Sequence, residues 1–140
     1  MLFHKTTENG KEIVSFEIVT LHTSGMRYTG ETEIVMKDGK AEVSQYGIRY
    51  SQNKDRRVLE KRAVCDEPKV LKLLNDCKLL SWDGFNGPHP KHVLDGTMFT
   101  LNAIVNGNQK IHASGSQSFP KHYRDFTDGL YNIFQDNHAE

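Results

Sequence analysis

Apolar and polar positions alternate through the first half of the chain. Residues 12–21 (EIVSFEIVTL) set Val14, Phe16 and Ile18 on one side and Ser15, Glu17 and Val19 on the other, the period of two that a strand requires. Thr23-Ser24-Gly25 then reads as a turn. Residues 27–36 (RYTGETEIVM) predict a second strand, with Gly30 placed to make a bulge. Lys37-Asp38-Gly39-Lys40 predicts a tight hairpin, because Asp-Gly supplies the positive φ of a type I′ turn. Residues 41–50 (AEVSQYGIRY) return, with Tyr46, Ile48 and Tyr50 on one side and Gln45, Gly47 and Arg49 on the other. Ser51 to Asp55 reads as a polar loop, and residues 57–65 (RVLEKRAVC) as a fourth strand carrying many charges.

The period then changes. Asp66 is suited to cap a helix, and Glu67 and Pro68 suit its first turn. Val70, Leu73, Leu74 and Cys77 recur at helical spacing, which predicts a helix over about 67–77. Leu79, Leu80 and Trp82 lead into a loop holding Gly84, Gly87, Pro88 and Pro90. Residues 97–105 (TMFTLNAIV) read as a strand with Phe99, Leu101 and Ala103 on one face, Asn106-Gly107 as a hairpin turn, and residues 109–114 as the partner strand. After a loop from Gly115 to Phe119, Pro120 suits the first turn of a last helix and Ser118 its cap. Tyr123, Phe126, Leu130 and Ile133 or Phe134 form its apolar stripe, which Gly129 interrupts at a cost of about 1 kcal/mol against alanine. The expectation is one α+β domain over residues 1–140. It comprises an antiparallel sheet of about six strands, a meander plus a C-terminal hairpin, with two helices packed on one face to bury their stripes.

A length of 140 residues with 36% hydrophobic content suits one core. Eighteen basic and eighteen acidic residues cancel, which argues against a general nucleic-acid binder or an anionic membrane surface. Residues 1–14 contain no apolar run of the signal-peptide kind, and no stretch approaches the length of a membrane span. Two cysteines, Cys65 and Cys77, make no disulfide framework and read as reduced thiols in a cytoplasmic protein.

The second half resembles a family of small bacterial proteins for which no activity is established. The resemblance rests on Trp82-Asp83-Gly84-Phe85, Leu94-Asp95-Gly96-Thr97-Met98-Phe99-Thr100-Leu101, Ala113-Ser114-Gly115-Ser116 and Phe119-Pro120-Lys121-His122-Tyr123. Tyr50-Ser51-Gln52 and the charged run after it look like the family's first-half pattern, so the likeness spans residues ~45–134. Gln117 stands where the family more usually has Asn. The resemblance transfers no catalytic residue.

Several constellations invite chemistry, and each has a simpler reading. Asp83 and Asp95 beside Trp82 would make an acid/base pair or a ligand clamp in a cleft, but both precede glycine, where aspartate commonly stabilises turns. His89 and His92 with Cys65 and Cys77 lack zinc-finger spacing, so no metal site and no cofactor is expected. A Cys-His nucleophile needs an exposed thiolate, whereas Cys77 lies on an apolar stripe. Ser114 to Ser118, just before a helix, would suit an anion yet lacks a phosphate loop's glycines and lysine. Arg49, Lys54, Arg56, Arg57, Lys61 and Arg62 with Tyr46 and Tyr50 would suit single-stranded nucleic acid, or simply protect a sheet edge.

These features point to a binding or interaction module rather than an enzyme. Its expected site is the loop-borne set Trp82, Asp83, Phe85, His89, His92, Asp95 and Phe119, since loops on a rigid scaffold concentrate function and aromatics concentrate binding energy. A protein is the first partner expected, a small molecule the second. The alternatives are a small hydrolase or transferase using Asp83, Asp95, His92 or His112, and a nucleic-acid or nucleoprotein partner for residues 49–62.

Overall fold

The computed structural model describes residues 12–25, 28–91 and 96–137. Within them lie β1 (Phe16–Ser24), β2 (Thr29–Lys37), β3 (Lys40–Ser51), β4 (Lys54–Cys65), α1 (Glu67–Asp76), a 3₁₀ turn (Leu79–Trp82), β5 (Asn86–Gly87), β6 (Met98–Val105), β7 (Gln109–Ser116) and α2 (Tyr123–Asn137). The fold is α+β, as the periodicities predict. One sheet runs in the order β4-β3-β2-β1-β6-β7-β5 with two helices packed on it. The strand beyond the expected six is β5, a two-residue strand that pairs parallel to the end of β7 inside what reads as loop. It escapes periodicity because two residues have no period.

The hairpins follow turn chemistry. Asp38 and Gly39 have φ of 53° and 81°, the type I′ signature, and join Lys37 directly to Lys40. The segment read as a polar loop after Ser51 is instead a second two-residue hairpin. Gln52 and Asn53 take φ of 52° and 64°, and Ser51 pairs with Lys54. Asparagine tolerates this left-handed conformation, so no glycine announces the turn.

The first strand departs from the simple alternation. A register shift between Phe16 and Ile18 puts Phe16, Val19 and Leu21 in the core and turns Ile18 outward. Val14 is left exposed and Ile13 buried. The bulge therefore falls here and not at Gly30, whose pairings to Thr23 and Gly47 are continuous. The segment before β1 is pinned from two sides. Asn75 of α1 accepts from the Ile13 amide at 2.8 Å and donates to its carbonyl at 2.9 Å, while Asn106 accepts from Val14 at 2.8 Å.

Two predicted caps are used otherwise. Asp66 occupies the N-cap of α1 in extended conformation but makes no capping bond; its carboxylate takes Lys40 Nζ at 2.5 Å, which holds that acid below the usual carboxylate range. Ser118 donates to the Pro88 carbonyl at 3.1 Å, and α2 begins only at Tyr123, beyond Pro120.

The core lies between the helices and one sheet face: Val19, Leu21, Ile34, Val43, Ala63, Leu101, Ile111 and Ala113 meet Val70, Leu74, Phe126, Leu130 and Ile133. Gly129 is explained here. A β-carbon there would run into Leu73, so the glycine lets α1 and α2 approach closely. Alternate residues of the same strands point away from the helices: Ile18, Thr20 and His22; Glu31, Glu33 and Val35; Thr100, Asn102 and Ile104; His112, Ser114 and Ser116. No helix among the described residues lies on that open face, and none is long and apolar enough to cross a membrane.

Candidate binding site on the open sheet face

The expected site residues divide among different environments. Trp82 is 1% exposed and belongs to the core. Its indole N–H donates to the Lys121 carbonyl at 3.1 Å, and its ring meets Phe126 edge-on at 5.6 Å and Tyr123 at 5.9 Å. Phe85 and Phe119 join the same aromatic cluster through Phe99, with ring centroids at 6.1 and 5.5 Å. Phe119 also lies 4.6 Å from Tyr123 and remains 37% exposed. The three loop aromatics thus gather, but around Phe99 and Tyr123. Burial there pushes the Tyr123 hydroxyl up to about 12.

Asp83 works as a clasp. Its Oδ1 accepts the His112 backbone N–H at 2.9 Å, and the next residue, Gly84, donates to the His112 carbonyl at 2.8 Å. The Trp-Asp-Gly turn is thereby tied to β7. The His112 ring lies on the open face with Nδ1 2.7 Å from Asn102 Oδ1. His92 and Asp95 lie outside the described residues.

Two of the expected site residues reach concavities: Phe119 lines a hollow of ≈ 490 Å³ with Pro120, His122, Tyr123, Arg124 and Asp125, and His89 reaches a cleft on the open face. A concavity of ≈ 460 Å³ is lined by His22 and Ser24 of β1, Asn86 of β5, Pro88 and His89 after it, Met98 and Thr100 of β6, and Ser114 and Ser116 of β7. The register explains the convergence. His22 pairs with Thr100, Thr100 with Ser114, and Ser114 with Asn86, so one row of four side chains crosses four neighbouring strands on one face. Ser24, Met98 and Ser116 form the next row. His89 closes the end, its Nδ1 2.6 Å from Ser116 Oγ.

Sequence reasoning missed His22, Asn86 and Thr100. The signal for His22 and Thr100 was present, since each alternates with a core residue, but only the pairing of β1 with β6 makes them neighbours. A smaller hollow of ≈ 280 Å³ continues the face along Ile18, Thr20, Asn102, Ile104, Lys110 and His112.

Besides Lys110, charge reaches the described part of this face from β2. Glu31 of β2 lies 3.7 Å from His22 Nδ1 and 3.2 Å from the Arg57 guanidinium, which sits 3.9 Å over the Tyr46 ring. The basic segment is largely engaged with its own surroundings: Arg49 faces Glu60 at 3.6 Å, Arg56 bonds Gln52 at 2.7 Å, and Arg62 bonds Ser44 at 3.3 Å and faces Glu42 at 3.9 Å. The other chemistries lose support in the same way. Cys65 and Cys77 are buried, with burial pushing both thiols up, Cys77 to about 11. Before α2, the amides of Ser114 and Gln117 are spent on the carbonyls of Phe85 and Thr97. Among the described residues no three His, Cys, Asp or Glu side chains gather as metal ligands would. No protein-family model matches the chain, and no curated protein matches it.

Proposed function

We propose that the protein is a cytoplasmic bacterial binding module whose ligand is a small polar molecule held on the open face of the sheet. The observation that supports this reading is the cleft itself. Its ≈ 460 Å³ falls in the range of small-molecule sites. Among the described residues its lining combines two imidazoles, four hydroxyls and an amide with the apolar Met98, Phe99 and Pro88, and includes no carboxylate, lysine or arginine. Such a lining favours a ligand rich in hydrogen-bonding groups over a highly charged one.

Amide chemical shifts during a screen of small polar metabolites test the reading. Shifts should cluster at residues 86–89, 98–100 and 114–116; shifts confined to other surfaces would overturn it. A second reading, docking of a protein, is favoured by Met98 and Phe119, large apolar side chains 51% and 37% exposed. A pull-down in which Phe119→Ala releases the captured protein, while His22→Ala does not, would move the site to that aromatic edge.

A further inference from the structure

Of the two imidazoles among the described residues of the cleft, His89 is the one fixed against a hydroxyl. Its neighbours Pro88 and Pro90 restrict the backbone on either side. The Pro88 carbonyl accepts Ser118 Oγ at 3.1 Å, and Gly87 pairs with Gly115. A β-carbon at Gly115 would run into the Ser118 carbonyl, so glycine there lets the chain past β7 fold back against the strand. Ser116 is held in turn by its pairing with Met98. A hydroxyl and an imidazole nitrogen 2.6 Å apart, both on braced backbone and both lining a cleft, match the spacing of an activated nucleophile and its base.

We propose that Ser116 and His89 form a nucleophile–base pair acting on small acyl esters bound in the cleft. The proposal rests on the cleft being the ligand site. Ser116 Oγ attacks the ester carbonyl carbon while its proton passes to His89 Nδ1. The bond to the leaving alkoxide breaks, His89 returns the proton to that oxygen, and the alcohol departs. Water then attacks the acyl carbon and gives a proton to His89; the acid leaves as Ser116 Oγ recovers its proton. Ester and water become acid and alcohol, with no oxidant or further reactant. Asn86, which pairs with Ser114 and lines the same cleft, is the side-chain amide that would serve the developing oxyanion.

The test is incubation with an alkyl fluorophosphonate, followed by intact-mass and peptide analysis. The expected result is one adduct, on Ser116, absent in Ser116→Ala. His89→Gln should slow its formation by about 100-fold or more, the usual weight of a general base. Circular dichroism of both variants establishes that they are folded. No adduct, an adduct spread over several serines, or an unchanged rate in His89→Gln would overturn the pair. Titration with the unreactive alkyl phosphonate separates the two ideas. Amide shifts at residues 86–89 and 114–116 without any adduct would leave the cleft as a binding site and remove the chemistry. No shifts and no adduct would remove both.

Discussion

The two faces of the sheet are built from the same strands, often from adjacent residues, and have opposite characters. On the helix side Val19, Leu21, Leu101 and Ala113 are 5% exposed or less, and their partners are apolar. On the other side Thr20, His22, Thr100 and Ser114 are half-buried by neighbouring strands and flanking loops. One face is specified by hydrophobicity, which is a property of single residues. The other is specified by which strands are neighbours, which is a property of the whole fold. Substitutions on the covered face should therefore change stability, and those on the open face should change binding.

The largest effect belongs to Trp82. Removing an indole that is 1% exposed and packed on Tyr123 and Phe126 should cost ~3–5 kcal/mol, read from urea denaturation of Trp82→Ala. Full stability in that variant would mean the covered face does not end in this aromatic cluster. Loss of ligand shifts in a variant that stays folded would mean that the two faces are coupled.

High pH sharpens the same point. Burial raises the Cys77 thiol from 9.0 to about 11 and the Tyr123 hydroxyl from 10.0 to about 12. Both groups hold their protons longer in the folded state, so the unfolded chain releases them first as pH rises. Their contribution is complete below about pH 9 and is lost as pH climbs through about 11 for Cys77 and about 12 for Tyr123. Urea midpoints at pH 8, 9.5 and 11 should fall, with a shallower fall in Cys77→Ala. Native Cys77 should also resist a thiol reagent at pH 8. A flat midpoint, or rapid modification, would show a thiol open to water.

Gly129 gives a smaller effect with a change of sign. An added methyl meets Leu73, and overpacking of this kind costs about 1–3 kcal/mol, against about 1 kcal/mol gained in helix propensity. Gly129→Ala should therefore be mildly destabilising on its own. In a Leu73→Ala background, where the obstruction is gone, it should be stabilising. The same sign in both backgrounds would show that the helices do not approach through this pair.

How far the sequence could be read follows from the same contrast. Phe99, Leu101 and Ala103, and the stripe of Phe126 and Leu130, were legible because periodicity reports which side a residue takes. Asp38-Gly39 was legible because its backbone demands a positive φ. Gln52-Asn53 was not, since neither residue is confined to turns. The phase of β1 failed because one extra residue after Phe16 reverses every later side chain, and alternation carries no sign of where such a residue enters. Of the expected site, His89 was legible as a histidine carried on a loop. His22, Thr100 and Asn86 were not, because their proximity depends on β1 pairing with β6 and on a parallel contact of two residues. The Trp-Asp-Gly-Phe segment stood out for a structural reason: it supplies a core indole, a clasp on β7 and a glycine at φ 87° in one turn.

The smallest effects are expected on the open face, where they are also the most informative. Arg57 covers Tyr46 and bonds Glu31 at the exposed side of the sheet, so Arg57→Ala should cost ~0.5–1 kcal/mol. His22 packs against no apolar core and faces Glu31 only at 3.7 Å, so His22→Ala should leave stability within about 0.5 kcal/mol. The same variant should lose the ligand-dependent shifts at residues 86–89, although these lie three strands away in the row. A stability loss of ~2 kcal/mol or more would place His22 among residues that hold the fold. In that case the open face would be a second structural surface, and the division between a stabilising face and a binding face would fail at the residue that should display it most clearly.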